Sequence, residues 1–465
     1  MFAMNAATPA PADLVDTDFV QLLFTDVAGR LRNVEIPTAR WAATLASGRP
    51  LDSAAILGET GPDEEELRLV PDPGSFVLRP WRTPAGRGIG MVFCEVLDRR
   101  GRPFAGDPRA VLRRAGRLSA ARGQRARFGV TAEFGLLPAE SLPPGTVPRA
   151  GAGHPAAGET GEDERTAEIC RDISEALGLM GRTVTGHHQD LRTGRWKITF
   201  EEGDALDTAD RLLLFRHTAA TMARRRNMTA VFSPGPQALP WSDGPRVQVS
   251  LIGTGVGTGV GTGAGTGMDS RPSFHDPEES LGVPGPPSRA LAGLLAHAPG
   301  LSALDTLSAP GFPGFPDAEA GVAGEAAEAC PCPACAGDGT PGPRAGIRAC
   351  GSATFKAAGD PGAPESTRLE IRVPGPAGNP YLLFTGILAA LADEGQDRAP
   401  AGASSPAAAD GRAPAPTPAC VASVPTGLPA AIRALENDDV LCAALGEPLT
   451  RAVVRAGRER GGEPS

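Results

Sequence analysis

Several side chains in this sequence have the type and spacing to do chemistry. Cys330, Cys332 and Cys335, followed by Cys350, supply four thiols, and four thiolates suit a tetrahedral zinc site. Their C-x-C-x2-C order is not a standard finger spacing, and they lie in a Gly/Pro/Ala-rich stretch, so drift in a loop is the competing explanation. His187 and His188 are adjacent imidazoles that either bind or catalyse, or are structural. His297 sits inside an apolar helical run and reads as a packed core residue. Residues 253–267 repeat Gly-Thr, Gly-Val and Gly-Ala; many glycine amides can face an anion, but the Lys and the helix start of a phosphate-cradling loop are missing, so the stretch reads as a linker. Only two of the 45 Lys and Arg residues are lysines, Lys197 and Lys356, which makes any single arginine weakly informative.

Such groups need elements to position them. Residues 19–25 (FVQLLFT) are apolar strand formers, and 31–36 alternate. Asp26-Val27-Ala28-Gly29 between them is a turn where glycine adopts positive φ cheaply, so the segment predicts a hairpin. A short helix over 41–47 closed by Gly48, and strands over 67–70 and 91–97, complete a mixed α+β module. Asp107 as N-cap and Pro108 at the first helical position start a helix over 109–122, with Val111, Leu112, Ala115 and Leu118 at helical spacing. Beyond it the pattern predicts a strand over 128–137, a loop over 138–163 and a helix over 165–178. Strands over 183–188 and 196–201 follow around a turn at Thr193-Gly194, then a helix over 207–227 and a strand over 229–232. Residues 290–304 and 381–393 read as buried helices.

The chain of 465 residues has room for two or three domains. Glycine and proline together make up nearly a quarter of it, against about an eighth in average usage, which points to low-complexity segments inside a globular protein. No run of 18 or more apolar residues occurs, so no transmembrane helix or membrane partner is expected. The Ala/Pro-rich start lacks a basic n-region, and eight mostly dispersed cysteines without a secretory signal fit a reducing, cytoplasmic setting. A net charge of −9 with scattered basic residues argues against a nucleic-acid partner.

Six blocks in one order give these pieces a common source. GRPFAGDPRAVLRRA (101–115), HDPEESLG (275–282), LAGLLAHAPGLSAL (291–304) and RLEIRVPGPAGNPYLL (368–383) resemble the glutamine synthetases, and the hairpin FTDVAGRLRNVEIP (24–37) resembles the start of that family's N-terminal β-grasp domain. Residues 428–449 resemble its C-terminal helix. The resemblance implies an α+β fold: a β-grasp domain over 14–105, then a larger antiparallel sheet backed by helices over 106–460. Low-complexity inserts at 253–270, 310–343 and 395–418 interrupt the second part. It also implies ATP-dependent joining of a carboxylate to an amine with Mg2+ or Mn2+, on small-molecule substrates, within a homo-oligomeric ring.

Carried over residue by residue, the family's site is altered here. Metal positions keep Glu133, Asp190 and Glu370, while Thr131, Lys197 and Arg246 stand where ligands are expected. An ammonium cannot ligate a cation, so each of two metal sites loses negative charge and gains a positive one. Lys197 is then either a surface charge or an ammonium standing in for a metal between Glu133 and Asp190. Arg344, Arg348, Arg368 and Arg372 match nucleotide- and substrate-binding arginines, and Asp52 and Glu66 match catalytic acids of the ammonium-site loop. Residues 305–316 replace a block that supplies a carboxylate-binding arginine, and they contain none. Two functions follow: a divergent ATP-dependent carboxylate–amine ligase of altered or lost activity, or a non-catalytic member that binds a metabolite or co-assembles with an active paralogue.

Overall fold

The structure is a computed structural model describing residues 14, 16–58, 66–122, 124–139, 164–190, 194–232, 246–253, 286–306, 354–360, 363–372, 378–393, 425 and 428–461. The expected inserts, apart from Gly253 at the end of a strand, lie outside these residues, as do most of the 138–163 loop and the cysteine cluster.

The hairpin forms as its alternation predicts. β1 (Phe19–Thr25) pairs antiparallel with β2 (Leu31–Pro37), and Gly29 takes φ 75° in the turn. α1 (Trp41–Ser47) ends at Gly48, where φ is 70°. β3 (Arg49–Leu51), the one-turn α2 (Ala54–Leu57), β4 (Leu67–Pro71), β5 (Val77–Leu78) and β6 (Ile89–Leu97) follow. The strands make a six-stranded sheet in the order β2-β1-β6-β4-β3, with β5 also on β6; β1 and β6 run parallel and the other pairs antiparallel. Val20, Leu22, Trp41, Ile56, Leu69 and Val92 fill the core on one side of it.

The second part is α3 (Pro108–Ala121), β7 (Gln124–Pro138), α4 (Glu164–Leu179), β8 (Val184–Gln189), β9 (Trp196–Phe200), α5 (Ala205–Arg225), β10 (Met228–Val231) and β11 (Arg246–Gly253). α6 (Pro286–Thr306), β12 (Thr354–Asp360), β13 (Ala363–Arg372) and α7 (Pro380–Ala392) continue it, and α8 (Leu428–Glu436), α9 (Asp439–Leu445) and α10 (Glu447–Gly461) close it. Its seven strands run β12-β13-β11-β7-β9-β8, with β10 on the end of β7, and every pair is antiparallel. The expected α+β architecture is present. Residues 428–449 form more than one helix: Asp438 starts α9 by accepting from Leu441 N, and Gly446 at φ 85° ends it. β7 extends beyond the expected 128–137 because its N-terminal half pairs along the whole of β11.

Helix starts follow local chemistry. Asp107 accepts from Arg109 N, Asp204 from Asp207 N, and Asn379 from Tyr381 N, with Pro108 and Pro380 opening their helices. α7 is apolar all round and accordingly buried.

Two polar joints bind the sheets together. Asn379, fully buried, donates from Nδ2 to Asp26 O and Val27 O, both at 3.2 Å, so the cap of α7 also holds the hairpin turn. A Cβ on Gly29 would lie 2.7 Å from Asn379 Cα, which requires glycine there. In the second joint, Arg109 on α3 donates from Nε and Nη2 to Asp210 on α5 (3.1 and 2.8 Å), and Nη2 also reaches Asp72 at 2.9 Å. Tyr381 donates to Asp210 Oδ1 at 2.5 Å, and Arg113 pairs with Asp72 and Glu95.

A third polar joint predicts a pH dependence. His297 on α6 is 4% exposed, with Nδ1 2.7 Å from Asp438 Oδ2 and Nε2 2.9 Å from Asp393 Oδ2. The sequence expectation of a packed, satisfied core histidine holds. The hydrogen bond to Asp438, helped by Asp393 and opposed by burial, raises the imidazole above its usual range. A raised folded-state pKa gives stability that is complete below the unfolded value, about 6.5, and is lost as pH climbs through the folded value. The midpoint of urea unfolding should therefore fall above pH 6.5, and His297→Gln should flatten that slope. Equal slopes in the two proteins would remove His297 as the cause.

Candidate functional site

β7 organises the candidate residues. Thr131 and Glu133 are two apart and so share one face of the strand. Glu133 stands opposite Lys197 on β9, and Thr131 stands between Thr199 on β9 and Arg246 on β11. β11 carries the row onward, with Arg246 opposite Arg372 and Gln248 opposite Glu370 on β13. The alternate residues Val130, Ala132, Phe134, Ile198, Val247 and Ile371 are buried in the core. The sheet thus turns one face to the helices and gathers the polar candidates on the other.

At the β7–β9 end of that face, charges close on one another. Glu133, 3% exposed, has Arg195 Nε 2.9 Å from Oε1 and Lys197 Nζ 3.9 Å from Oε2. Lys197 Nζ lies 2.5 Å from Asp190 Oδ2, and the Asp190 loop is held by its amide donating to Arg195 O at 2.8 Å. Two carboxylates meet two cations, and the formal charges cancel. Arg195 is the participant that sequence reading missed; its signal was present, since it is two residues from Lys197 and so on the same side of the strand. Trp196 between them is buried against the core, 2% exposed.

This donor set does not fit Mg2+ or Mn2+. Such ions take carboxylate, carbonyl and water oxygens, with imidazole as an addition for Mn2+. A unit positive charge ~4 Å from a dication is repelled by roughly 8 kcal/mol at an effective dielectric of about 20. Among the described residues no three His, Cys, Asp or Glu side chains are grouped to hold a metal ion.

Of the other expected site residues, Glu370 is buried at 6% exposure, and Arg368 is half-buried with Nε enclosed and without a hydrogen-bond partner. Thr131 Oγ1 and Thr199 Oγ1 are 3.2 Å apart. Asp52 is engaged locally, accepting from Ala54 N at 2.8 Å, and exposed Glu66 faces Arg68 at 3.6 Å. Among the described residues neither acid has a hydrogen bond or ion pair to the larger sheet. His187 Nδ1 meets Ser174 Oγ at 3.1 Å and its ring leans on Trp196, whereas His188 is exposed. Arg344 and Arg348 lie outside the described residues.

Comparison with known proteins supplies the frame for this site. A model of the glutamine synthetase β-grasp domain matches residues 16–99, and one of the glutamine synthetase catalytic domain matches 105–310 and 349–459. Glutamine synthetase of Halobacterium salinarum is 26% identical over 447 residues, covering 95% of this chain and 89% of that protein. That of Thermotoga maritima is 28% identical over 451 residues, covering 94% and 91%. A solved structure described as apo GmaS without ligand shares the fold, with a TM-score of 0.66 at 22% identity over 97% of this chain and 95% of that one.

Proposed function

The chain belongs to the glutamine synthetase family, and on that premise we propose that it is a member whose cation sites are filled by its own side chains. It keeps the ligase scaffold, an N-terminal β-grasp domain followed by the catalytic domain, but does not run metal-dependent carboxylate–amine ligation. The observation that carries this reading is the placement of Lys197 Nζ between Asp190 and Glu133. In this reading Thr131, Lys197 and Arg246 are the substituted ligand positions, and Glu133, Asp190 and Glu370 are retained acids partnered by protein rather than metal. The β-grasp part over 14–105 and the remainder over 106–460 serve a cytoplasmic homo-oligomer that binds a small metabolite.

The family's ATP and Mg2+ or Mn2+ give the test its probes. Calorimetric titration of Mn2+ into the full-length protein should show no saturable binding up to millimolar metal, and adding Mn2+ should not increase its affinity for ATP. Saturable Mn2+ binding, or ATP binding that appears only with metal, would restore the ligase reading.

A further inference from the structure

One histidine stands where neither the candidate site nor the core accounts for it. His217 lies on α5, and its ring stacks on Trp81 with centroids 6.3 Å apart and planes at 24°. Trp81 belongs to residues 79–88 between β5 and β6, so the stack joins the β-grasp part to the larger one. Arg79 steadies the loop side. Its Nε donates to Trp81 O at 3.1 Å, and its guanidinium carbon lies 5.6 Å from the centre of the indole. Trp81 is buried. His217 is half-buried, with Nε2 enclosed and, among the described residues, without a hydrogen-bond partner. A phenyl ring would stack as well and leave no orphaned nitrogen, so packing alone gives no reason for an imidazole.

The charges that act on His217 have one sign. Burial does most to disfavour a positive imidazole, and Arg79 from the loop and Arg224, about two turns along α5, add to it. His217 therefore takes up a proton below its usual range. Arg225 and Glu35 on β2 act on Arg79. The acids on neighbouring elements are engaged elsewhere. Asp210 on α5 is taken by Arg109 and Tyr381, Glu168 and Asp172 on α4 by Arg226, and Glu133 on β7 by Arg195. Arg216, beside His217 in sequence, donates to Gly378 O, and β10 (Met228–Val231) has no titratable side chain. Among the described residues no carboxylate pairs with His217 to receive the second N–H that protonation creates.

We infer that the Trp81–His217 stack is an acid-sensitive latch: proton uptake by His217 releases Trp81 and the 79–88 loop from α5 and loosens the β-grasp part from the larger domain. An imidazolium would bring a second cation to an indole that Arg79 already covers, and would trap an N–H without an acceptor. Once released, His217 is freer to take a proton, so acid favours the open joint. Above about pH 6.5, its free value, both forms are neutral and the latch holds. Below it, the ratio of open to latched protein should climb by up to tenfold per pH unit, until the latched form itself is protonated. His297 works in the opposite direction, since its contribution to stability is complete in acid. None of the latch residues is a metal position, so the latch holds whether or not Mn2+ binds.

Acrylamide quenching of tryptophan fluorescence in the full-length protein reads the latch, with Trp81→Phe as the blank for the other three tryptophans. From about pH 7.5 to about pH 5.5, the range in which histidines titrate, Trp81 should become at least twofold more accessible. The change should reverse on returning to neutral pH, while far-UV circular dichroism stays constant. His217→Phe keeps a ring for the stack but cannot take up a proton, and should abolish the change. His217→Gln serves if that protein does not fold. Arg224→Gln removes one of the two repelling cations and should make the change smaller. Accessibility that is constant with pH in the parent, or that rises equally in the His217 variants, overturns the latch. A rise that accompanies loss of the circular dichroism signal is general acid unfolding and overturns it as well.

Discussion

Replacing Arg109 by leucine should destabilise the protein by about 3–5 kcal/mol, the typical cost of removing one partner from a buried ion pair. Arg109 and Asp210 are each 5% exposed, so the carboxylate left behind would have neither its bidentate partner nor water. The Tyr381 hydroxyl would remain as a donor to it, and burial beside Asp210 holds that phenol well above its usual range, so it stays protonated. Asp72 would keep Arg113 and would be little affected. The loss should appear in urea unfolding followed by tryptophan fluorescence. Adding Asp210→Asn to Arg109→Leu should recover at least half of it, because the amide accepts the Tyr381 hydrogen bond without a stranded charge. A double variant as unstable as the sum of the two singles would mean that the pair acts through packing instead.

That network shows which parts of the structure were readable in the sequence. Local chemistry was legible: the Asp26–Gly29 turn, Gly48 closing α1, and Asp107 with Pro108 opening α3 depend on residues within a few positions of each other. The family blocks then supplied the two-sheet architecture. Arg109 itself read only as one residue of an amphipathic helix, because its partners lie 37 and 101 residues away. β3 and β5, three and two residues long, carry too few alternations to register as strands and exist through pairing with β4 and β6. The shared face of Thr131 and Glu133 followed from the period of a strand. That Lys197 would reach both Asp190 and Glu133, with Arg195 clamping Glu133 from the same side, required the β7–β9 register.

The same register sets the conditions for returning a metal to the site. A variant carrying Thr131→Glu, Lys197→Glu and Arg246→His should bind Mn2+ at least tenfold more tightly than the parent, a gain of about 1.4 kcal/mol or more. At the β7–β9 end, Lys197→Glu removes the ammonium between Asp190 and Glu133 and places a third carboxylate opposite Glu133. At the β7–β11–β13 end, Thr131→Glu and Arg246→His set a carboxylate and an imidazole in directly opposed positions, with Glu370 on the same face of β13. Each end then offers three ligands of the kinds Mn2+ accepts, with water to complete the shell. Arg195 limits the gain, since its Nε stays 2.9 Å from Glu133 Oε1 and competes for that oxygen. Adding Arg195→Gln should therefore tighten Mn2+ further, and by more than the same change does in the parent, where Lys197 still blocks the site. Manganese EPR or calorimetry reads both steps. Parent and variant binding Mn2+ equally well would show that Lys197 and Arg246 are not what excludes the metal.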